Sequence, residues 1–139
     1  ILLIAARNTQ LARSIPNGTP LHIAQAKEER FISLAVGHSI RTVQDRLFLL
    51  SGIQPEILLE SHNFEACRRL TLALGAVMLC PDAYISRVPD LDLSEKLNAY
   101  PLLDGDMMRH FYLCCRRDMH LTRYMEDFLM ILRQCLAQS

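Results

Sequence analysis

The apolar positions along the chain change period several times, and each change marks an element. Ile1 to Ala6 is an unbroken apolar run, the pattern of a strand buried on both faces. Arg7 to Gly18 is polar, is interrupted by Pro16, Asn17 and Gly18, and reads as loop. Thr19-Pro20 reads as a helix start, with Thr as cap and Pro in the first turn, for a short helix reaching Lys27. Phe31 to Ala35 predicts the next strand. Ile40, Val43, Leu47 and Leu50 then recur on one helical face, and Gly52 ends that helix. Pro55 restarts the chain, and Glu56 to Glu60 reads as a strand. Phe64, Cys67, Leu70 and Leu74 form the next helical stripe, stopped by Gly75, and Ala76 to Leu79 predicts a short buried strand.

The rest is less regular. Pro81 to Glu95 predicts irregular chain with one helical turn at Asp82 to Ser86. Leu97 to Leu103 and His110 to Arg116 read as strands joined through the turn Asp104-Gly105-Asp106. A last helix is predicted from Arg123 to Leu136, capped at Thr122, with Glu126 and Asp127 near its positive end. The middle of the chain is therefore two successive strand-to-helix units. Each carries small polar residues at the junction, Gly37-His38-Ser39 in one and Ser61-His62-Asn63 in the other. Open α/β sheets bind small ligands at such junctions, where free N–H groups and the helix dipole favour anions.

Composition narrows the function classes. With 139 residues the chain is one domain with a real core, and half of it is hydrophobic. The 15 basic and 15 acidic residues cancel, so no overall basic field exists to hold DNA or a membrane surface. No apolar run has membrane-spanning length. A first residue of Ile, with no signal-peptide pattern after it, predicts a piece cut from a longer protein. The five cysteines, Cys67, Cys80, Cys114, Cys115 and Cys135, have no framework spacing and no Cys-x-x-Cys pair. They predict reduced, mostly buried thiols and a cytoplasmic location. The histidines are not spaced as metal ligands. Gly-x-Ser-x-Gly, Walker and His-Glu-x-x-His motifs are absent, so no catalytic residue, metal or cofactor is expected. The basic pairs Arg68-Arg69 and Arg116-Arg117, and the acidic pair Glu28-Glu29, read as solvated surface or as partners of opposite charges.

Four stretches resemble LysR-type transcriptional regulators. Ile1 to Ala12 is similar to their opening strand and His-Pro-Leu-Ala turn, with Thr9-Gln10 in place of His-Pro. Ser51-Gly52-Ile53-Gln54-Pro55 resembles their Ala-Gly-Ile-x-Pro turn. Leu72 to Pro81 resembles their Val-Ala-x-Gly-x-Gly-Ile-x-Leu-Leu-Pro stretch, with Ala76 and Cys80 as departures. His110 to Arg117 and His120-Leu121-Thr122 resemble the late strand and the start of the final helix. The resemblance implies an effector-binding domain with the fold of type 2 periplasmic binding proteins, an α/β sheet with helices on both faces. Residues 5 to 103 would form its second lobe. Residues 1 to 4 and 110 to 139 would supply the crossover strand, return strand and final helix of an incomplete first lobe. The partners it implies are a small, anionic effector, a second copy of the chain, and DNA only through an N-terminal domain absent here.

In that family the effector lies between the lobes, beside the loop that here is Val36-Gly37-His38-Ser39. Gly37 allows close backbone approach, Ser39 offers a hydroxyl, and His38 adds a donor. Ser39 acting only as a helix cap is the alternative, and Asn63 divides likewise between plain N-cap and effector contact. Peroxide-sensing members carry Gly-His-Cys at this loop. Ser39 lacks the sulfur, so thiolate redox sensing there is excluded. If much of the first lobe is missing, the final helix is expected to leave its apolar face exposed or against another copy. Two other readings compete: a lobe of a solute-binding transport protein, and a small α/β enzyme pairing Cys80 with His38 or His62.

Overall fold

The computed structural model describes residues 1–86, 96–104, 112–114, 116, 118 and 120–137. The chain forms two compact units, Ile1–Met108 and Arg109–Ser139. The first is built on five strands: β1 (Leu2–Ala6), β2 (Phe31–Leu34), β3 (Ile57–Ser61), β4 (Val77–Cys80) and β5 (Leu97–Pro101). Their order across the sheet is β3-β2-β4-β1-β5. β2 runs parallel to β3 and β4. β1 runs antiparallel to both its neighbours, with Leu2 opposite Cys80 on one side and Pro101 on the other. The continuous apolar run at the start thus lies inside the sheet. Leu3, Ile4, Ala5 and Ala6 are all buried.

Helices α2 (Ser39–Ser51) and α3 (Phe64–Leu74) are the two long ones of this unit. The step from β2 to β3 and the step from β3 to β4 run in opposite directions across the sheet. Right-handed crossovers therefore place α2 and α3 on opposite faces. Phe31 and Ser33 point toward α2. The rings of Phe31 and Phe48 meet edge to face at 5.0 Å, and Gln44 Nε2 donates to Ser33 Oγ at 2.7 Å. On the α3 side, the Cys67 thiol donates to the Ser33 carbonyl at 3.4 Å. Both helices end on a left-handed glycine, Gly52 and Gly75, as the sequence predicts.

Several expectations are corrected. Residues 7 to 18 are not all loop, because α1 (Gln10–Ser14) forms there. The Thr9 side chain accepts from the Ala12 N–H at 3.1 Å, and a Glu29 carboxylate oxygen accepts from the Leu11 N–H at 2.5 Å. One helical turn with a single buried residue, Leu11, carries no periodic signal. Thr19-Pro20 does not start a helix. Leu21 bridges Leu102 instead, and only a 3₁₀ turn at Ile23–Ala26 follows. The buried stripe of α2 is Ile40, Gln44, Leu47 and Phe48, while Leu50 is 71% exposed. Leu74 is also exposed, and α3 buries Cys67, Arg68 and Thr71. Of the two readings for Arg68, the acid partner is the one realised, and the residue is buried. It lies against Glu65 through two 2.9 Å bonds that hold this carboxyl below its ordinary range.

A short helix, α4 (Ala83–Ser86), matches the expected turn after Pro81. β5 stops at Pro101, two residues before the expected end. Asp104 is more than turn chemistry: its carboxylate accepts from the Ile23 N–H at 2.6 Å and touches His22 Nδ1 at 3.3 Å. Gly105 and Asp106 lie outside the described residues. So do His110, Phe111 and Cys115 of the expected late strand, whose described members Tyr112 to Cys114 and Arg116 belong to no strand. In the second unit α5 (Arg123–Ala137) follows prediction. The Thr122 carbonyl accepts from Met125 and Glu126 at 2.9 and 3.1 Å. Its apolar residues Tyr124, Phe128 and Ile131 are exposed. No helix among the described residues is long and apolar enough to cross a membrane.

The two helix-ending glycines make different demands. Gly52 and Gly75 sit at φ of 63° and 61°. A Cβ at Gly52 would meet nothing within 4 Å, whereas one at Gly75 would come 2.6 Å from Asn8 Nδ2. Gly52→Ala should cost about 1–2 kcal/mol, the left-handed penalty alone. Gly75→Ala should cost more, because Asn8 must also move. Urea unfolding of the two variants checks the order.

Candidate functional site

Because β2, β3 and β4 are parallel, their C-terminal ends share one edge of the sheet, where the order of connection reverses. Two junctions meet there. The first is Ala35 to His38, between β2 and α2. The second is His62-Asn63, between β3 and α3. The Ala35 N–H donates to the Ser61 carbonyl at 3.0 Å and ties the two together. Their imidazoles also approach: the rings of His38 and His62 lie 5.8 Å apart, tilted by 45°.

Each predicted site residue has a distinct place. Gly37 has φ of 101°, a backbone that L side chains rarely adopt, and nothing lies near its absent Cβ. Val36 is 74% exposed, an apolar side chain held out on the junction. His38, not Ser39, occupies the N-cap position of α2, and its side chain makes no cap bond. The alternative in which Ser39 serves as the helix cap does not hold, since Ser39 is already the first helical residue. No side chain among the described residues caps the first turn of α2. The N–H groups of Ser39, Ile40 and Arg41 precede the first intrahelical bond, made by Thr42 to the His38 carbonyl at 3.1 Å. At α3 the outcome differs. Asn63 Oδ1 accepts from the Ala66 N–H at 3.0 Å, so Asn63 is an N-cap.

Sequence reasoning missed Arg41. Its guanidinium donates to the Leu34 carbonyl at 3.1 Å and to Asp45 at 2.7 Å, and pairs with Glu60. Burial would lower its pKa, but the hydrogen bonds to Asp45 and Glu60 outweigh that and raise it. Arg41 thus pins the start of α2 to the ends of β2 and β3. The one available signal was the four-residue spacing of Arg41 and Asp45. Beyond Asn63, the Phe64 ring packs on Tyr84 of α4 at 4.5 Å.

The cysteines divide. Among the described residues Cys67 and Cys80 are buried, while Cys114 and Cys135 are exposed, and Cys115 lies outside them. Burial raises the Cys67 pKa and pushes Cys80 up to about 12. A thiol held neutral in this way is a poor nucleophile, which removes the basis for a Cys80–His enzyme.

In an open α/β sheet the switch point is the edge at which ligands bind in general. The chain belongs to the LysR substrate binding domain family, whose model matches residues 1–137. Solved structures share its fold, that of the effector-binding domains of LysR-type transcription regulators. The regulatory domain of Synechocystis PCC6803 CcmR, in complex with 2-PG, is 20% identical with a TM-score of 0.76, over 94% of this chain and 60% of that one. The effector binding domain of QuiR with shikimate is 16% identical, TM-score 0.67, covering 93% and 57%. That of BenM with its effector benzoate is 18% identical, TM-score 0.65, covering 99% and 59%. This chain therefore spans about 60% of the length of these domains. A comparison with curated protein sequences finds no match.

Two outcomes follow from this geometry. Asn63→Ala should destabilise the chain by about 1 kcal/mol, as loss of a used N-cap does, measured by thermal unfolding. A thiol reagent applied to the folded chain should modify Cys114 and Cys135 quickly and leave Cys67 and Cys80 protected until denaturant is added, read by peptide mass spectrometry.

Proposed function

We propose that the chain is the ligand-sensing part of a LysR-type transcription regulator and that it binds a small anionic metabolite at the junction of Val36, Gly37, His38 and Ser39. The observation that carries this reading is the start of α2. Three N–H groups point out of a long helix, no side chain caps them, and a positive-φ glycine opens the approach. A carboxylate there would take up the donors that Ser39 leaves free. Asn63 contributes from the second junction through its amide, since its oxygen already caps α3. That BenM binds benzoate and QuiR binds shikimate, both carboxylates, supports an anion.

In this reading residues 5–103 form the second lobe of an effector domain, and residues 1–4 and 110–139 return to the first. The effector closes the cleft between lobes. It acts on transcription only by binding one arrangement of a homo-oligomer better than another. DNA contact belongs to a separate domain of the parent protein, in keeping with the zero net charge of this chain. The setting is the cytoplasm.

The test is an amide-shift NMR titration with benzoate, shikimate and sulfate, run on the chain and on the complete two-lobed domain. Shifts should concentrate at Gly37, His38, Ser39 and Ile40. Ser39→Asp should abolish them, because a carboxylate placed in the first turn repels a second anion, while it stabilises the helix by about 0.3–1 kcal/mol. Shifts located elsewhere in both proteins, or left intact by Ser39→Asp, would sink the site.

A further inference from the structure

His38 and His62 stand 24 positions apart in sequence, yet their rings meet at 5.8 Å where the β2 and β3 junctions converge. Among the described residues neither imidazole has a hydrogen-bond partner, and each ring's neighbour is the other. Metal ions that prefer nitrogen bind imidazole at about 2.0–2.1 Å, which sets the centroids of two rings on one ion roughly 5–6.5 Å apart for bond angles from tetrahedral to linear. The observed spacing falls inside that window. The carboxylates nearest along the chain are already paired, Asp45 and Glu60 with Arg41 and Glu65 with Arg68 and Arg69.

We propose that His38 and His62 form a two-imidazole seat for a divalent transition ion of the nickel, zinc or copper class, whose remaining positions are filled by water or a small anion. Neutral imidazole is the ligand type these ions select over magnesium or calcium. The positive end of α2 disfavours a bare cation nearby, and an anionic ligand on the ion offsets that. Such an ion would cross-link the β2–α2 and β3–α3 junctions. The seat goes beyond the effector reading and stands without it, because the side chains and not the α2 amides hold the ion.

The test is calorimetric titration of the full chain with Ni²⁺, combined with backbone-amide NMR on the same samples. One ion per chain should bind, with line broadening centred on His38, Ser39, His62 and Asn63. His38→Gln and His62→Gln should each weaken binding by about tenfold or more, as loss of one of two direct ligands demands. His120→Gln, at an exposed position outside the pair, should leave it unchanged. Circular dichroism of each variant distinguishes a lost ligand from a lost fold. Binding that survives either single substitution in a folded chain, or broadening centred elsewhere, would overturn the proposal, as would no Ni²⁺ binding at all.

Discussion

The structure depends on β1. Three parallel strands can be assembled from local strand–helix units, but β5 follows a long excursion and has no parallel partner. β1 joins it to the rest of the sheet, pairing antiparallel with β4 on one side and β5 on the other through four and five register positions. Every buried main-chain group in a central strand must be paired, and a strand covered on both faces must also be apolar throughout. Leu3, Ile4, Ala5 and Ala6 meet both demands. The first six residues are therefore the seam that closes the sheet, although their contacts lie some 70 to 100 positions away.

The site follows from how the rest of the sheet is wound. The connection from β2 goes one way and the return from β3 goes the other, so α2 and α3 leave the same edge for opposite faces. Polar groups tie both helices to the sheet. Ser33 is shared, its hydroxyl bonded by Gln44 of α2 and its carbonyl by the Cys67 thiol of α3, so both helices are referenced to one residue of β2. Arg41 adds a second fix, from α2 to Leu34 and Glu60. Such buried polar contacts are costly if half made, and here they are complete among the described residues.

The sequence made much of this legible, and the failures share a cause. Strands and helices with a full period, from Phe31 to Cys80, emerge with ends displaced by one residue or so. The apolar pattern of α2 includes exposed Leu50 and passes over Gln44, which is polar. In the fold Gln44 is buried because Ser33 satisfies it. The same holds for Arg68, buried against Glu65. Helix α1 was invisible because its stability comes from Thr9 and from distant Glu29 rather than from amphipathic spacing. A pattern of apolar positions cannot register a polar residue whose partner is chosen by tertiary structure. At the site, the motif Gly37-His38-Ser39 was found, but the helix start was off by one, and that shift converts Ser39 from a cap into a free hydroxyl.

That one-residue shift bears on function more than on stability. The sheet presents two helix starts at one edge, built from similar residues, Gly-His-Ser and Ser-His-Asn. They are finished differently. At α3 the cap is made by Asn63, and the helix start is closed. At α2 the N-cap residue is His38, a side chain that caps poorly, and the donors stay open. Asn, Asp, Ser or Thr at position 38 would stabilise α2 by the usual capping increment, and the chain forgoes it at one of the two helix starts at the switch point. Local stability given up at a ligand-facing position is the expected mark of a binding site, since the ligand itself completes the missing interactions. The asymmetry between the two starts is the feature on which the proposed effector site at the α2 junction rests.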